Sequence, residues 1–200
     1  MADIVILMMK VNNIITQALQ SFKPKVSVFI ATSLDGFIAG ENGELDWLDT
    51  VTTAGEDYGY AQFIANIDVL VMGRNTYEKV LSFDDWPYVG LRVIVLSNSL
   101  THVINGAELF AGSPEQLIAK LKTENINHVY LDGGNTISQF LNAHMVDEMV
   151  ISIIPIVLGS GKRLFNNIEQ RHQLYLLKHK QFSSGLVQLH YSSKSLSKLN

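Results

Sequence analysis

Short apolar runs rich in β-branched residues recur along this chain, and Gly, Ser, Thr or Asn follows most of them. The runs lie at residues 26–31, 68–72, 92–96, 128–131 and 148–157. Continuous apolar runs of this length are typical of strands that are covered on both faces. Two further runs, 174–182 and 186–192, flank Ser183-Ser184-Gly185 and predict a terminal hairpin. The pattern therefore predicts an α/β sandwich with a mostly parallel sheet.

Helix signals lie between these runs. A helix is expected around 55–66, and another begins at Gly73. Ser113 and Pro114 are a typical cap and first helical residue. A further helix is expected over 136–144.

Length and composition limit the classes of function. The chain has 200 residues, which indicates one domain, and 47% apolar with 17% charged residues is typical of a compact fold. A net charge of -4 without a Lys or Arg run argues against nucleic-acid binding. The absence of Cys excludes disulfides, thiolate nucleophiles and Cys-ligated metals. We therefore expect a soluble, cytoplasmic protein with a single domain.

The first 24 residues form an extension that we separate from the domain at 25–200. Its apolar run, Ile4 to Met9, is too short to span a bilayer and lacks the flanks of a signal peptide. Helical spacing of apolar residues predicts one short amphipathic helix over 12–22. We expect this helix to pack on the domain or on a partner, and we expect no membrane partner.

Three strand-to-helix junctions carry the residues best suited to binding a ligand. They are Gly73-Arg74-Asn75-Thr76, the pair Ser97 and Ser99, and Gly133-Gly134. Helix N-termini present unpaired N–H groups and a partial positive charge, which suit phosphate. Each junction alone is also consistent with ordinary turn chemistry. Three of them in one sheet make a dinucleotide the leading hypothesis.

Other chemistries fail on spacing. Gly159 to Lys162 resembles part of a P-loop, but Ile156 and Arg163 occupy positions that need Gly and Ser or Thr. The six His are far apart, so we expect no metal site. The G-x-G-x-x-G motif of dinucleotide-binding folds is also missing.

The order of the motifs resembles a known family. The segments Gly73–Glu78, Arg92–Ser97 and Leu131–Asn135 are similar to the cofactor-binding segments of dihydrofolate reductase-like proteins. Ser33–Ala39, Asp46-Trp47-Leu48 and Pro155–Phe165 look more like one branch, the reductase domain of riboflavin-biosynthesis proteins of the RibD C-terminal type. The resemblance covers residues 25–192 and implies a three-layer α/β/α sandwich with a mixed, mainly parallel sheet. It also implies NADPH as cofactor and a homodimer.

The resemblance assigns positions along the cofactor. They are Gly73, Arg74, Asn75 and Thr76 at the phosphates, Ser97 near the adenosine phosphate, Gly133, Gly134, Asn135 and Thr136 at the pyrophosphate, and Ala31 and Ile38 beside the nicotinamide. Because glycine has no Cβ, we expect Gly134 to let the pyrophosphate approach the main chain. A Val at this position is expected to abolish cofactor binding and leave an exposed loop intact.

Two residues are implied near the substrate, each with an alternative. Asp35 either reaches the substrate, where it is a catalytic candidate, or caps the turn at Leu34 to Gly36. Trp47 either walls the pocket or is an ordinary core residue. Lys162 and Arg163 are available to hold a substrate phosphate, and are equally consistent with a basic surface pair.

One position departs from dihydrofolate reductase. Thr52 lies where that enzyme has an Asp or Glu, so dihydrofolate is a poor candidate substrate. Glu56 and Asp57 follow, and Asp57 is our second catalytic candidate. Both are also explained as acids that complement a helix dipole.

The sequence therefore predicts NADPH-dependent reduction of a small pyrimidine- or pterin-like compound, or of a related carbonyl or imine. The reaction would resemble that of 5-amino-6-(5-phosphoribosylamino)uracil reductase. The alternatives are an authentic dihydrofolate reductase and a non-catalytic nucleotide-binding dimer on the same scaffold.

Overall fold

Eight strands form one large sheet, and two short strands form a second. The computed structural model describes residues 23–195. The strands are β1 (Lys25–Ser33), β2 (Phe37–Ala39), β3 (Val69–Gly73), β4 (Arg92–Leu96), β5 (Glu108–Phe110), β6 (His128–Asp132), β7 (Glu148–Ile154), β8 (Lys162–Arg163), β9 (Tyr175–Gln181) and β10 (Val187–Ser192). The large sheet has the order β5-β4-β3-β6-β1-β7-β10-β9, and β2 pairs with β8.

The large sheet is mixed and mainly parallel. Neighbouring strands from β5 to β7 run parallel, whereas β10 is antiparallel to both β7 and β9. In the terminal hairpin, Val187 of β10 lies opposite Gln181 of β9. The predicted fold class is therefore confirmed.

The helices connect these strands. Within residues 23–195 they are the 3-10 helix Asp46–Val51 and the α-helices α1 (Tyr60–Ile64), α2 (Arg74–Val80), α3 (Pro114–Thr123) and α4 (Gly134–Asn142). Helix α3 begins at the predicted residue, because Ser113 and Gln116 form a reciprocal capping box. The Gln116 side chain accepts a hydrogen bond from the Ser113 amide at 2.9 Å.

Two helices differ from the sequence-based prediction. Helix α1 is much shorter than the predicted 55–66, because Tyr58 and Gly59 adopt left-handed φ values of 56° and 85°. A regular helix cannot continue through these residues. Helix α4 begins at Gly134, two residues before the predicted start. The helix predicted over 12–22 lies outside the described residues.

Helices cover both faces of the parallel part of the sheet, which gives three layers. On one face, Leu131 and its neighbours pack against Leu117 of α3 and Phe140 of α4, all fully buried. On the other face, Leu70 and Met72 pack against Tyr77 of α2. Each such large side chain contributes about 1.5–3 kcal/mol when buried.

This arrangement determines where a ligand can bind. The carboxyl ends of β3, β4 and β6 meet at one edge of the sheet because the three strands are parallel neighbours. Helices α2 and α4 begin directly after β3 and β6. Ligands of open α/β sheets bind at such an edge.

Candidate active site

A cleft of about 1220 Å³ lies at this edge of the sheet. Its wall is formed by the starts of α2 and α4, the loop at 41–45, and β8. Most of the predicted site residues line it, namely Ala31, Ile38, Gly73, Arg74, Asn75, Thr76, Gly133, Gly134, Asn135, Thr136, Lys162 and Arg163. The tertiary structure thus brings together residues that are up to 132 positions apart in the chain, from Ala31 to Arg163.

The starts of α2 and α4 share a sequence pattern that the sequence analysis missed. Both read G-x-N-T, at residues 73–76 and at 133–136. The two copies interlock, because a Cβ on Gly73 would lie 2.9 Å from Thr136 Oγ1. A Cβ on Gly133 would overlap Thr76 Oγ1. Comparing the residues that follow each apolar run would have found this repeat.

The Asn and Thr side chains of the two G-x-N-T segments have no hydrogen-bond partner within the described protein. Asn75, Thr76, Asn135 and Thr136 line the cleft, and none of their side chains hydrogen-bonds to another described residue. Arg74 makes only a loose ion pair, 3.9 Å from Nε to Oε1 of Glu78. These groups are the donors that phosphate oxygens require. The residues present therefore fit a dinucleotide.

Gly134 corrects one sequence-based expectation. Its residue is buried, and an added Cβ would overlap the carbonyl oxygen of Arg163 and lie 2.9 Å from that of Leu164. The expectation that Gly134 lies in an exposed loop that tolerates Val is therefore wrong. The absence of a Cβ at Gly134 is required by the protein's own β8 segment, which packs over the start of α4.

At the junction that contains Ser97 and Ser99, Ser97 is buried and holds a turn. Its Oγ accepts hydrogen bonds from the amides of Ser99 and Leu100, both at 3.2 Å. Leu96 and Ser99 line the cleft, whereas Ser97 is not among the described residues that do. These contacts are those of a turn cap, and the role of Ser97 near an adenosine phosphate stays a prediction.

Asp132 is a cleft residue that the sequence analysis did not select. It ends β6 immediately before Gly133, whose amide donates a hydrogen bond to Oδ1 at 2.8 Å. Burial raises the pKa of this carboxyl to about 6, against the opposing effect of that hydrogen bond. Perturbed carboxyl groups in clefts are candidates for acid–base chemistry. A charged residue that ends an otherwise apolar strand was the available sequence signal.

Three tyrosines lie close enough to this carboxyl to be affected by its charge. Burial raises the pKa of Tyr60, Tyr88 and Tyr130, and the charge of Asp132 raises each of them further. The Tyr130 hydroxyl donates to the Phe29 carbonyl at 3.0 Å. All three phenols therefore remain neutral at ordinary pH. Tyr88, Tyr130 and Phe29 line the cleft and give this end an aromatic surface.

Comparison with known proteins identifies the family. Residues 24–188 match the model of the RibD C-terminal domain. The chain belongs to the RibD C-terminal domain family. The suggested resemblance is therefore confirmed.

Two relatives match this chain over nearly the whole of their own length. A crystal structure from Shewanella sp. PV-4, provisionally named as a riboflavin biosynthesis protein, is 43% identical with a TM-score of 0.81, over 86% of this chain and 99% of that one. The uncharacterized protein YwjB of Bacillus subtilis is 36% identical over 84% of this chain and 97% of its own.

A more distant structure shares the fold alone. The Thermotoga maritima diaminohydroxyphosphoribosylaminopyrimidine deaminase/5-amino-6-(5-phosphoribosylamino)uracil reductase is 18% identical with a TM-score of 0.63. The similarity covers 85% of this chain and 56% of that protein. The RibD C-terminal fold of the present chain thus corresponds to part of that larger chain.

Asp35, implied by the family resemblance to act near the substrate, makes the contacts of a turn cap. Its carboxylate accepts hydrogen bonds from Ser33 Oγ at 2.6 Å and from the amides of Leu158 and Gly159 at 3.1 and 2.7 Å. The hydrogen bond from Ser33, together with those amides, lowers the pKa of Asp35 to about 2. Asp35 therefore joins the β1–β2 turn to the loop before β8, and it is not among the described residues that line the cleft.

Trp47 and Asp57 also lie outside the described lining of the cleft. Trp47 is 6% exposed and packs in a separate core cluster with Ile154 and Phe182. Leu48, its neighbour, lines the cleft in its place. Asp57 accepts hydrogen bonds from the amides at 59 and 61, which lower its pKa and complement the start of α1. These positions match the structural alternative for each residue.

Lys162 and Arg163 form β8 and are exposed at the cleft. The Arg163 guanidinium lies over the Phe37 ring, 4.6 Å from its centre. This cation–π contact holds the charged guanidinium of Arg163 against the ring.

The part of the chain that the structure describes contains no helix long and apolar enough to cross a membrane. Within residues 23–195, no three His, Cys, Asp or Glu side chains are grouped so as to hold a metal ion.

Proposed function

We propose that this protein is an NADPH-dependent reductase of a small pyrimidine- or pterin-like compound that contains a C=O or C=N bond. Its reaction would resemble that of 5-amino-6-(5-phosphoribosylamino)uracil reductase, and the protein would act as a cytoplasmic homodimer. The observation that carries the proposal is the juxtaposition, in one cleft, of unpartnered phosphate-binding groups and a carboxyl group whose pKa is raised to about 6.

The cofactor would extend along the two G-x-N-T segments. The amides that begin α4, with Asn135 and Thr136, would hold the pyrophosphate, since α4 is nine residues long and presents a full N-terminal turn. Arg74 would hold the 2′-phosphate, because its guanidinium fork matches a phosphate better than a ribose hydroxyl. Ala31 and Ile38, both partly exposed in the cleft, would contact the nicotinamide.

The protein's chemical contribution would be to position the substrate and to supply a proton. When bound, NADPH supplies a hydride to the substrate carbon. Asp132 donates the proton that the substrate oxygen or nitrogen needs, and becomes a carboxylate. The neutral Tyr88 and Tyr130 orient a planar substrate at the aromatic end of the cleft and exclude water from it. The reduced product thus gains one hydride and one proton.

Lys162 and Arg163 also line the cleft. If the substrate carries a phosphate, these two cations are the groups that would hold it. An unphosphorylated substrate would depend on the aromatic side chains and Asp132 alone.

A substrate screen tests the proposal. The purified full chain is incubated with NADPH and a panel containing the phosphorylated ribosylamino-pyrimidine, dihydrofolate and simple carbonyl compounds, and NADPH absorbance is followed. We expect turnover with the pyrimidine class and little with dihydrofolate, since Thr52 cannot provide the missing carboxylate. Tight NADPH binding without turnover of any compound would favour the non-catalytic binding protein. Light scattering of the same sample measures the expected dimer.

A further inference from the structure

A second pocket lies beside the cleft, between α1 and the β9–β10 hairpin, and the proposed reaction does not use it. Its volume is about 210 Å³. Its lining comes from β1, β7, α1 with the two residues before it, and both strands of the hairpin. Phe29 lines this pocket and the cleft, so the two spaces share one wall.

Aromatic rings form the wall on the side of α1. The rings of Phe29 and Phe63 lie 5.0 Å apart, and Tyr58 precedes the helix. With Val150 these residues give the pocket an apolar surface, which favours a flat ring over a hydrated ion.

Tyr58 is held in an unfavourable backbone conformation by specific contacts. Its φ of 56° is rare for a residue other than glycine. Its hydroxyl donates to the Val51 carbonyl and lies 3.0 Å from Ser184 Oγ, and its carbonyl accepts from Gln188 Nε2 at 3.0 Å. The hairpin and α1 are therefore fixed relative to each other, and the pocket is a formed feature of the fold.

The opposite wall is basic. Lys178 and Lys180 lie two residues apart on β9, so both side chains project from the same face of the strand. Lys178 has no ion-pair partner among the described residues. Lys180 lies 4.0 Å from the Phe182 ring centre and lowers the pKa of Asp57 by its charge.

Negative charge near this wall is already engaged. His190 Nε2 lies 3.1 Å from Glu148 Oε2, and that carboxylate also pairs with Lys25 at 2.8 Å. No Asp or Glu is among the described residues that line the pocket. The pocket therefore attracts an anion.

We propose that this pocket binds a small planar aromatic anion, a single ring with one carboxylate. An apolar cavity of about 150 Å³ accommodates benzene, so a pocket of about 210 Å³ has room for a ring and one small substituent. The ring packs against Phe29 and Phe63, and the carboxylate faces Lys178 and Lys180. Such a ligand is distinct from the cofactor and from the substrate of the proposed reaction.

Titration with benzoate and with the neutral, isosteric benzamide tests this proposal on the full chain. We expect benzoate to bind more tightly than benzamide, and the double variant Lys178→Gln/Lys180→Gln to lose about tenfold or more in benzoate affinity. Both lysines are exposed, so this variant should fold normally. The matched control is Lys162→Gln, a lysine of the cleft, which should leave benzoate affinity unchanged.

Four results would overturn the proposal. They are equal affinity for benzoate and benzamide, no binding of either, loss of benzoate affinity in Lys162→Gln, and displacement of benzoate by saturating NADPH. The last two would locate the anion in the cleft. Titration of NADPH into the same sample is independent of this pocket, so failure here with normal cofactor binding would leave the proposed reductase function standing.

Discussion

The starts of α2 and α4 are two versions of one local structure. The first reads Met72-Gly-Arg-Asn-Thr76 and the second Asp132-Gly-Gly-Asn-Thr136. The glycine and threonine of each copy pack against those of the other, which holds neighbouring strands β3 and β6 and their helices in register. The shared residues build the scaffold.

The residues that differ between the two copies give the two junctions different proposed roles. Met72 is fully buried in the core, whereas Asp132 reaches the cleft. Arg74 extends into the cleft with its side chain 49% exposed, whereas Gly134 is covered by β8. A repeated backbone therefore supplies two helix N-termini, and two substitutions within it supply the candidate acid and the candidate phosphate ligand.

The largest expected effect concerns the first difference. Asp132→Asn removes the proton donor, so kcat/KM should fall by about 10²–10⁴-fold. Turnover of the unmodified protein should decline as pH rises through about 6, where Asp132 loses its proton, and the variant should lose this dependence. Measuring kcat/KM against pH for both proteins checks the prediction.

The stability of the folded protein is the control for the Asp132→Asn variant. Because folding raises the pKa of Asp132 from 3.8 to about 6, its contribution to stability is lost as pH rises through that interval. Asp132→Asn should therefore be at least as stable as the unmodified protein at neutral pH. Asp57→Asn separates the two candidate carboxylates: a comparable loss of turnover there would transfer the role of acid to Asp57.

The next effect concerns the second position of the repeat. Gly134→Ala should destabilise the protein by about 3 kcal/mol, because backbone carbonyls of β8 cannot yield to a Cβ. Gly73→Ala, at the first position of the other copy, meets only the Thr136 hydroxyl at 2.9 Å and should be milder. Denaturant unfolding of both variants measures the difference, and equal stabilities would mean that the two junctions are packed alike.

Arg74→Ala should affect the cofactor and spare the fold. Loss of a charge-assisted hydrogen bond should weaken NADPH by about 1.5–3 kcal/mol, and NADH far less. The ion pair with Glu78 is exposed and loose, so the melting temperature should hardly change. Titration of both cofactors provides the measurement. An equal loss for both would contradict a position of Arg74 at the 2′-phosphate.

The smallest effect is expected at the junction that contains Ser97 and Ser99, which lacks the G-x-N-T repeat. Ser97→Ala removes a turn cap and should cost about 1 kcal/mol of stability. NADPH affinity should stay near that of the unmodified protein. A loss as large as that of Arg74→Ala would instead support the contact with the adenosine phosphate implied by the resemblance.

Local sequence was sufficient for most strands of the large sheet and for most of the cleft. Apolar runs at 68–72 and 128–131 predict β3 and β6 because burial on both faces of a parallel sheet excludes polar side chains there. The Ser113–Pro114 start of α3 was also readable, since a cap uses only residues a few positions apart. Neighbouring parallel strands end at the same edge of the sheet, so the residues that follow them must lie close together.

Contacts between distant segments were decided by the tertiary structure. Asp35 is an acid in the sequence, and the hydrogen bonds that it accepts from Leu158 and Gly159 depend on which amides the fold brings near. The raised pKa of Asp132 depends on how deeply the fold buries its carboxyl group. Gly134 must lack a Cβ because β8, about 30 residues later in the chain, packs on it. The sequence alone determined the strand–helix order and the phosphate-binding junctions, because these depend on periodicity and neighbouring residues. Which carboxyl group is buried in the cleft was determined only by packing.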